Sequence, residues 1–106
     1  MYEEYDKNRN VFSGNTTIGC VVTNAKLTKT QANKVASIAH NGFARAIRPV
    51  HTMADGDTIF VLATGEEEVM PDAVGALAAE VMARAINRAV YMAEPAYGLK
   101  AAKDFL

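Results

Sequence analysis

Two short stretches of this sequence hold residues whose types and spacing could do chemistry: Asn15-Thr16-Thr17 and Ala54-Asp55-Gly56-Asp57. A threonine hydroxyl is a poor nucleophile unless a base lies within hydrogen-bond reach. Making the threonine the first residue of its chain supplies one, because its own α-amine, with a reference pKa of about 8, can take the hydroxyl proton. Such a threonine must be exposed by a cut just before it. The same hydroxyl can make that cut by attacking the preceding carbonyl, giving an ester that water hydrolyses. Gly14-Asn15 supplies the conformationally tolerant residues that this strained geometry favours. The same stretch also reads as a plain turn running into a strand.

The acidic pair offers a second kind of chemistry. In an extended chain Asp55 and Asp57 point to the same side. Two carboxylates that close repel, so they share a proton or bind a cation. The alternative is a polar turn whose acids cap backbone amides. As a divalent-metal pattern, two acids with no third nearby are weak, and no metal or cofactor is expected. His51, beside the acidic loop, is a better candidate for orienting a neighbour than His40, which sits inside a helical stretch as a packed or solvated side chain. Cys20 lies mid-strand in an apolar run and reads as an inert core residue. Met53, Met70, Met82 and Met92 read as core or interface filler.

These residues must be positioned by a β-α-β-α order. Thr16 to Thr23 is β-branched and apolar on both faces, as in a buried strand; Gly19 within it marks a close backbone approach or a bulge. Asn24-Ala25-Lys26 reads as a turn. Thr28 and Gln31 fit a capping box. Behind it Val35, Ile38, Ala39, Gly42, Ala46 and Ile47 recur at helical spacing until Pro49. Asn41-Gly42 fits close helix packing. After a loop over 51–56, Asp57 to Thr64 reads as a second buried strand, and Gly65 with Glu66-Glu67-Glu68 as an exposed turn. Pro71 and Asp72 suit a helix first turn. The pattern Val74, Leu77, Val81, Ala85, Ala89, Met92 marks a long helix from 73 to 93, halted by Pro95, with a tail beyond. Residues 1–15 form a polar lead-in and 16–106 the α/β domain. Two strands make a poor sheet alone. Both are apolar enough to be covered on both faces, so a partner chain or self-assembly is expected.

At 106 residues the chain is one domain at most. Half of it is hydrophobic and the formal net charge is −1, the balance of an ordinary globular protein. Lysine and arginine are scattered singly, which argues against a nucleic-acid binder. No apolar run approaches the roughly 20 residues of a membrane helix. The acidic start, Met1-Tyr2-Glu3-Glu4, is unlike a signal peptide. One cysteine excludes an internal disulfide and fits a reducing compartment, so a cytoplasmic protein is expected. Met1 fits a chain translated as its own reading frame.

Taken together, the run NTTIGCVVTNAKLTKTQANKVASIAHNGFARAIRPVHTMADGDTIFVLATG and the later GALAAEVMARAINRAV closely resemble the L-aminopeptidase/D-esterase (DmpA) family, which includes β-aminopeptidases and the nylon-oligomer hydrolase. The match spans about residues 14–104. It implies an α/β fold that is a β-α-β-α piece of an Ntn-like αββα sandwich of the DmpA/ornithine acetyltransferase type. It implies a precursor that cuts itself into a large α and a small β chain, the new N-terminal residue being the nucleophile. Here that residue is Thr16, after Asn15. About forty residues on, the family carries a polar pair that hydrogen-bonds the nucleophile, and the matching positions are Asp55 and Asp57.

The family's α portion is several-fold longer than the 15 residues that precede Thr16 here. It supplies further strands, an oxyanion-stabilising Asn, and a Tyr or Lys beside the nucleophile, none of which can be placed on residues 1–15. Loss of one oxyanion donor costs on the order of 100-fold in rate. The resemblance thus implies the C-terminal part of an N-terminal-nucleophile aminopeptidase or amidase acting on small peptide or amide substrates. The alternatives are a catalytically silent module, which self-assembles or pairs with a separate α chain, and an acyltransferase of the ornithine acetyltransferase type.

Overall fold

The computed structural model describes residues 15–106, so the lead-in expected over 1–14 lies outside the described residues. Strand β1 (Ile18–Ala25) is followed by helix α1 (Lys29–Ala46), strand β2 (Thr58–Glu67), helix α2 (Pro71–Met92) and a short 3-10 turn (Ala102–Phe105). The α/β mix matches the expected β-α-β-α piece. β1 and β2 pair in parallel, Ile18 opposite Thr58 through Thr23 opposite Ala63. Parallel neighbours need a crossover, and α1 provides it.

The local signals explain the helix ends. The Thr28 hydroxyl accepts from Gln31 N at 3.1 Å, and Thr28 N donates to Gln31 Oε1 at 2.9 Å, so both halves of the capping box form. Pro71 opens α2 at its first position, where no amide hydrogen is needed.

The strand ends differ from the sequence reading. β1 runs on through Asn24 and Ala25, and β2 through Gly65, Glu66 and Glu67, where two turns were expected. The pairing jumps from Thr23–Ala63 to Ala25–Glu67, leaving extra residues on β2. Gly65, at φ 83°, lets β2 bulge there and resume pairing, a left-handed conformation that a side chain would resist.

The core lies on one side of the sheet. Val35, Ala39 and Phe43 of α1 pack against Ile59 of β2 and Ala78 and Met82 of α2. The helices touch at close quarters. A Cβ on Gly42 would stand 2.4 Å from the Ala79 carbonyl oxygen, and one on Gly75 would stand 2.6 Å from Ile38 Cδ1. Gly19 is likewise a close approach rather than a bulge: its Cβ would meet Met82 Cε at 2.8 Å.

The other sheet face is not covered by the described helices. Ile18 and Val22 are 71% exposed, Phe60 57% and Leu62 59%. Within this chain the strands are therefore buried on one face, and the open face is the one for which a partner chain was expected. Cys20 has the parity of Ile18 and Val22, so it lies exposed on this open face rather than in the core. Of the methionines, Met82 is core, whereas Met53, Met70 and Met92 are exposed.

Gly42→Ala should destabilise the fold by about 1–3 kcal/mol, because the atom in the way belongs to the backbone of α2. That loss should exceed the gain in helix propensity of about 1 kcal/mol. Gly75→Ala should cost less, since Ile38 Cδ1 can swing aside and Ile38 Cβ and Cγ2, at 3.2 Å, need give by only a few tenths of an ångström. Denaturant midpoints of the two variants check this order.

Candidate active site

The parallel register decides which residues become neighbours. With Ile18 opposite Thr58, the chain ahead of each strand continues side by side, and Asn15 bridges to Asp55. Gly56 N donates to Asn15 O at 3.0 Å, and Thr58 N donates to Thr17 O at 3.0 Å. The two stretches singled out in the sequence are thus laid edge to edge, with Thr16 beside Gly56. A Cβ on Gly56 would lie 3.4 Å from Thr16 Oγ1, so the hydroxyl packs over the glycine. Strand alternation continued back from Ile18 puts Thr16 on the open face.

The same alternation turns Asp57 the other way, towards the helices. Its side chain is 1% exposed. Asp57 Oδ1 accepts from Thr17 N at 3.0 Å, across 40 residues of sequence. The acid therefore grips the backbone of the residue after Thr16. His51 Nδ1 stands 3.5 Å from Asp57 Oδ2. The His51 backbone is left-handed, with φ 55°, a conformation uncommon for a side-chain-bearing residue. His51 stacks at 5.4 Å against the ring of His40, which in turn meets Phe43 edge-on at 5.2 Å. Asp57 Oδ2 and His40 Nδ1 are both buried without a hydrogen-bond partner among the described residues. His51 is thus the candidate orienting group the sequence pointed to, and His40 packs behind it.

Asp55 serves its own loop. Its Oδ2 accepts from both Thr52 N and Thr52 Oγ1 at 3.0 Å, and Asp55 N donates to Thr52 O at 3.0 Å. This closed turn delivers Gly56 to the strand edge. The two carboxylates consequently have different partners, Thr17 for one and Thr52 for the other. Gly56, Thr17 and Thr52 were missed in the sequence because their contributions come from backbone groups and a hydroxyl within a turn. Among the described residues no three His, Cys, Asp or Glu side chains converge as a metal site would require, and no helix is long and apolar enough to cross a membrane.

A family model, Peptidase family S58, matches residues 1–103. The chain belongs to peptidase family S58. The match reaches back through the lead-in to residue 1, further than the stretch on which the sequence resemblance rests. Among similar proteins, an uncharacterized aminopeptidase of Mycobacterium tuberculosis is 41% identical over 105 residues, covering 85% of this chain and 30% of that protein. An uncharacterized aminopeptidase of Mycobacterium leprae is 43% identical over 100 residues, covering 80% and 28%. The 6-aminohexanoate-oligomer endohydrolase of Paenarthrobacter ureafaciens is 37% identical over 90 residues, covering 73% and 25%. The chain thus aligns with a quarter to a third of each relative's length, which fits the C-terminal portion of an S58 protein.

Asp57→Ala should leave the part-buried Thr17 N–H without an acceptor and cost about 1–3 kcal/mol. Asp57→Asn keeps an acceptor oxygen and should recover much of that loss. Amide hydrogen exchange at Thr17 should accelerate in the alanine variant and much less in the asparagine one.

Proposed function

We propose that this chain is the nucleophile-bearing portion of an S58 amide hydrolase, with Thr16 freed by self-cleavage of the Asn15–Thr16 bond. The observation that carries the reading is the pairing of Asn15-Thr16-Thr17 alongside Asp55-Gly56-Asp57, which holds the scissile carbonyl and the following amide at once. In the precursor, Thr16 Oγ attacks the Asn15 carbonyl carbon. A C–O bond forms, the C–N bond breaks, and the hydroxyl proton passes to the departing nitrogen. Water then hydrolyses the ester, leaving an Asn15 carboxylate and a free Thr16 hydroxyl and α-amine. In turnover the amine accepts the hydroxyl proton while the hydroxyl attacks a substrate amide or ester, and water releases the acyl group. The aminopeptidase and oligomer-endohydrolase names of the relatives favour an amide bond as the target.

Within this reading Asp57 acts through the backbone, fixing Thr17 and so the strand entry on which Thr16 sits. Asp55 fixes the turn that brings up Gly56. In this reading the remaining machinery comes from an α-type portion, whose strands would cover the open face bearing Ile18, Val22, Phe60 and Leu62. Among the described residues the outer edge of β1 has no strand beside it, and it lines an apolar groove with Leu77 and Val81 of α2. The open face also favours a second reading, a catalytically silent module that buries the same face against a copy of itself.

Mass spectrometry of the protein together with its α-type portion should find a species beginning at Thr16. Thr16→Ala should abolish both that species and turnover of aminoacyl amides, while Thr16→Ser should retain both at reduced rate. Sedimentation separates the second reading: a homo-oligomer without turnover or cleavage supports the silent module.

A further inference from the structure

The glycine between the two acids has a contact that the nucleophile's role leaves unexplained. Gly56 N donates to Asn15 O at 3.0 Å, and Asn15 O is the oxygen of the bond that self-cleavage would break. On the same residue, the Cβ position lies 3.4 Å from Thr16 Oγ1. The attacked carbonyl and the attacking hydroxyl therefore converge on one backbone unit. Residue 56 meets the attacked carbonyl with its amide, and its Cβ position lies at ordinary contact distance from the attacking hydroxyl.

We propose that the backbone N–H of Gly56 is the oxyanion donor for self-cleavage. The inference rests on the reading of Asn15–Thr16 as the cleavage site and deepens it. When Thr16 Oγ adds to the Asn15 carbonyl carbon, the carbonyl π-pair moves onto Asn15 O, which becomes a full oxyanion. A hydrogen bond to an ionised acceptor is roughly twice as strong as one to a neutral carbonyl. The Gly56 bond thus strengthens as the tetrahedral species forms, and only such differential strengthening accelerates a step. Collapse expels the Thr16 nitrogen, which takes the hydroxyl proton, and leaves the ester. When water adds to that ester the charge returns to the same oxygen, so one donor serves both steps.

The donor is held in place from both sides before reaction. The Asp55–Thr52 turn fixes the chain entering Gly56, and Asp57 on Thr17 N fixes the chain leaving Thr16. A donor already aimed at the carbonyl needs no reorganisation when charge appears, the condition under which such bonds are most effective. It also does not depend on the longer family α portion, because both partners lie within this chain.

The rival explanation is an ordinary ladder bond that serves only to hold the strands together. The bond from Thr58 N to Thr17 O, also 3.0 Å, is an internal control for it, because it belongs to the same ladder but touches no atom of the scissile bond. Replacing Gly56 by glycolic acid deletes only the first N–H, and replacing Thr58 by its hydroxy-acid analogue deletes only the second. The complete protein is prepared with each ester, and the fraction beginning at Thr16 is followed with time by mass spectrometry. The Gly56 ester should slow cleavage on the order of 100-fold or more, and the Thr58 ester by only a few-fold. Equal slowing by both, or cleavage of the Gly56 ester at the unmodified rate, overturns the proposal while leaving the cleavage site intact. An unmodified protein that never yields a chain starting at Thr16 overturns the cleavage reading and this one with it. Should the Gly56 ester fail to fold, the uncleavable Thr16→Ala chain provides a second readout. There a scalar coupling across the hydrogen bond should link the Gly56 amide nitrogen to the Asn15 carbonyl carbon, and its absence would also overturn the proposal.

Discussion

The parallel pairing of β1 with β2 is the constraint on which the rest of this chain depends. Once Ile18 lies opposite Thr58, every residue of the first strand is tied to one about forty positions later. A slip by a single residue would reverse the faces of a whole strand. It would lift Ile59 out of the core and move Gly19 away from Met82. The register is therefore fixed by packing far from the strand entry, and the strand entry inherits it. Thr16 beside Gly56, and Thr17 beside Asp57, are consequences of where the apolar residues downstream are buried.

The helices enforce that register by coming close. Gly42 sits against the Ala79 carbonyl and Gly75 against the Ile38 side chain, so the two helices run in the same direction and approach closely at these points. Phe43 and Met82 then reach down together onto Gly19, where the missing side chain makes room for them. Three glycines thus perform one task, drawing two helices and a strand into a single layer. With both helices on one side, the opposite sheet face keeps an apolar surface whose natural complement is a second sheet. That is the arrangement an αββα sandwich requires, and it follows from the alternation of β1 and β2 as well as from the family.

The strand entry divides its polar groups between the two faces. Thr16, by the alternation carried back from Ile18, looks to the open side. Asp57 looks to the helix side, buried beside His51 with His40 packed behind that ring, and it holds the Thr17 backbone. Asp57 Oδ2, without a hydrogen-bond partner among the described residues, lies beside the left-handed backbone of His51. Such unsatisfied groups and uncommon backbone angles persist only where surrounding structure enforces them. Here they lie directly behind the strand entry.

The sequence by itself determined the elements and the family. The capping box at Thr28, the helical spacing from Val35 to Ile47 and the Pro71 start are local signals, and local backbone chemistry made them legible. Asn15-Thr16 and Asp55-Gly56-Asp57 were legible as candidates because their residue types are chemically marked. Strand ends and faces were not legible. Asn24, Ala25, Glu66 and Glu67 look like turn residues, and the bulge around Gly65 lets the strands continue through them and Ala25 pair with Glu67. Cys20 looked like core because a β-branched, apolar run does not reveal which of its two faces the chain can cover. The partners of the two acids, and the contact of Gly56 N with Asn15 O, were decided by tertiary structure alone. A backbone amide carries no sequence signature, and what it donates to depends on the residue that the sheet register sets beside it.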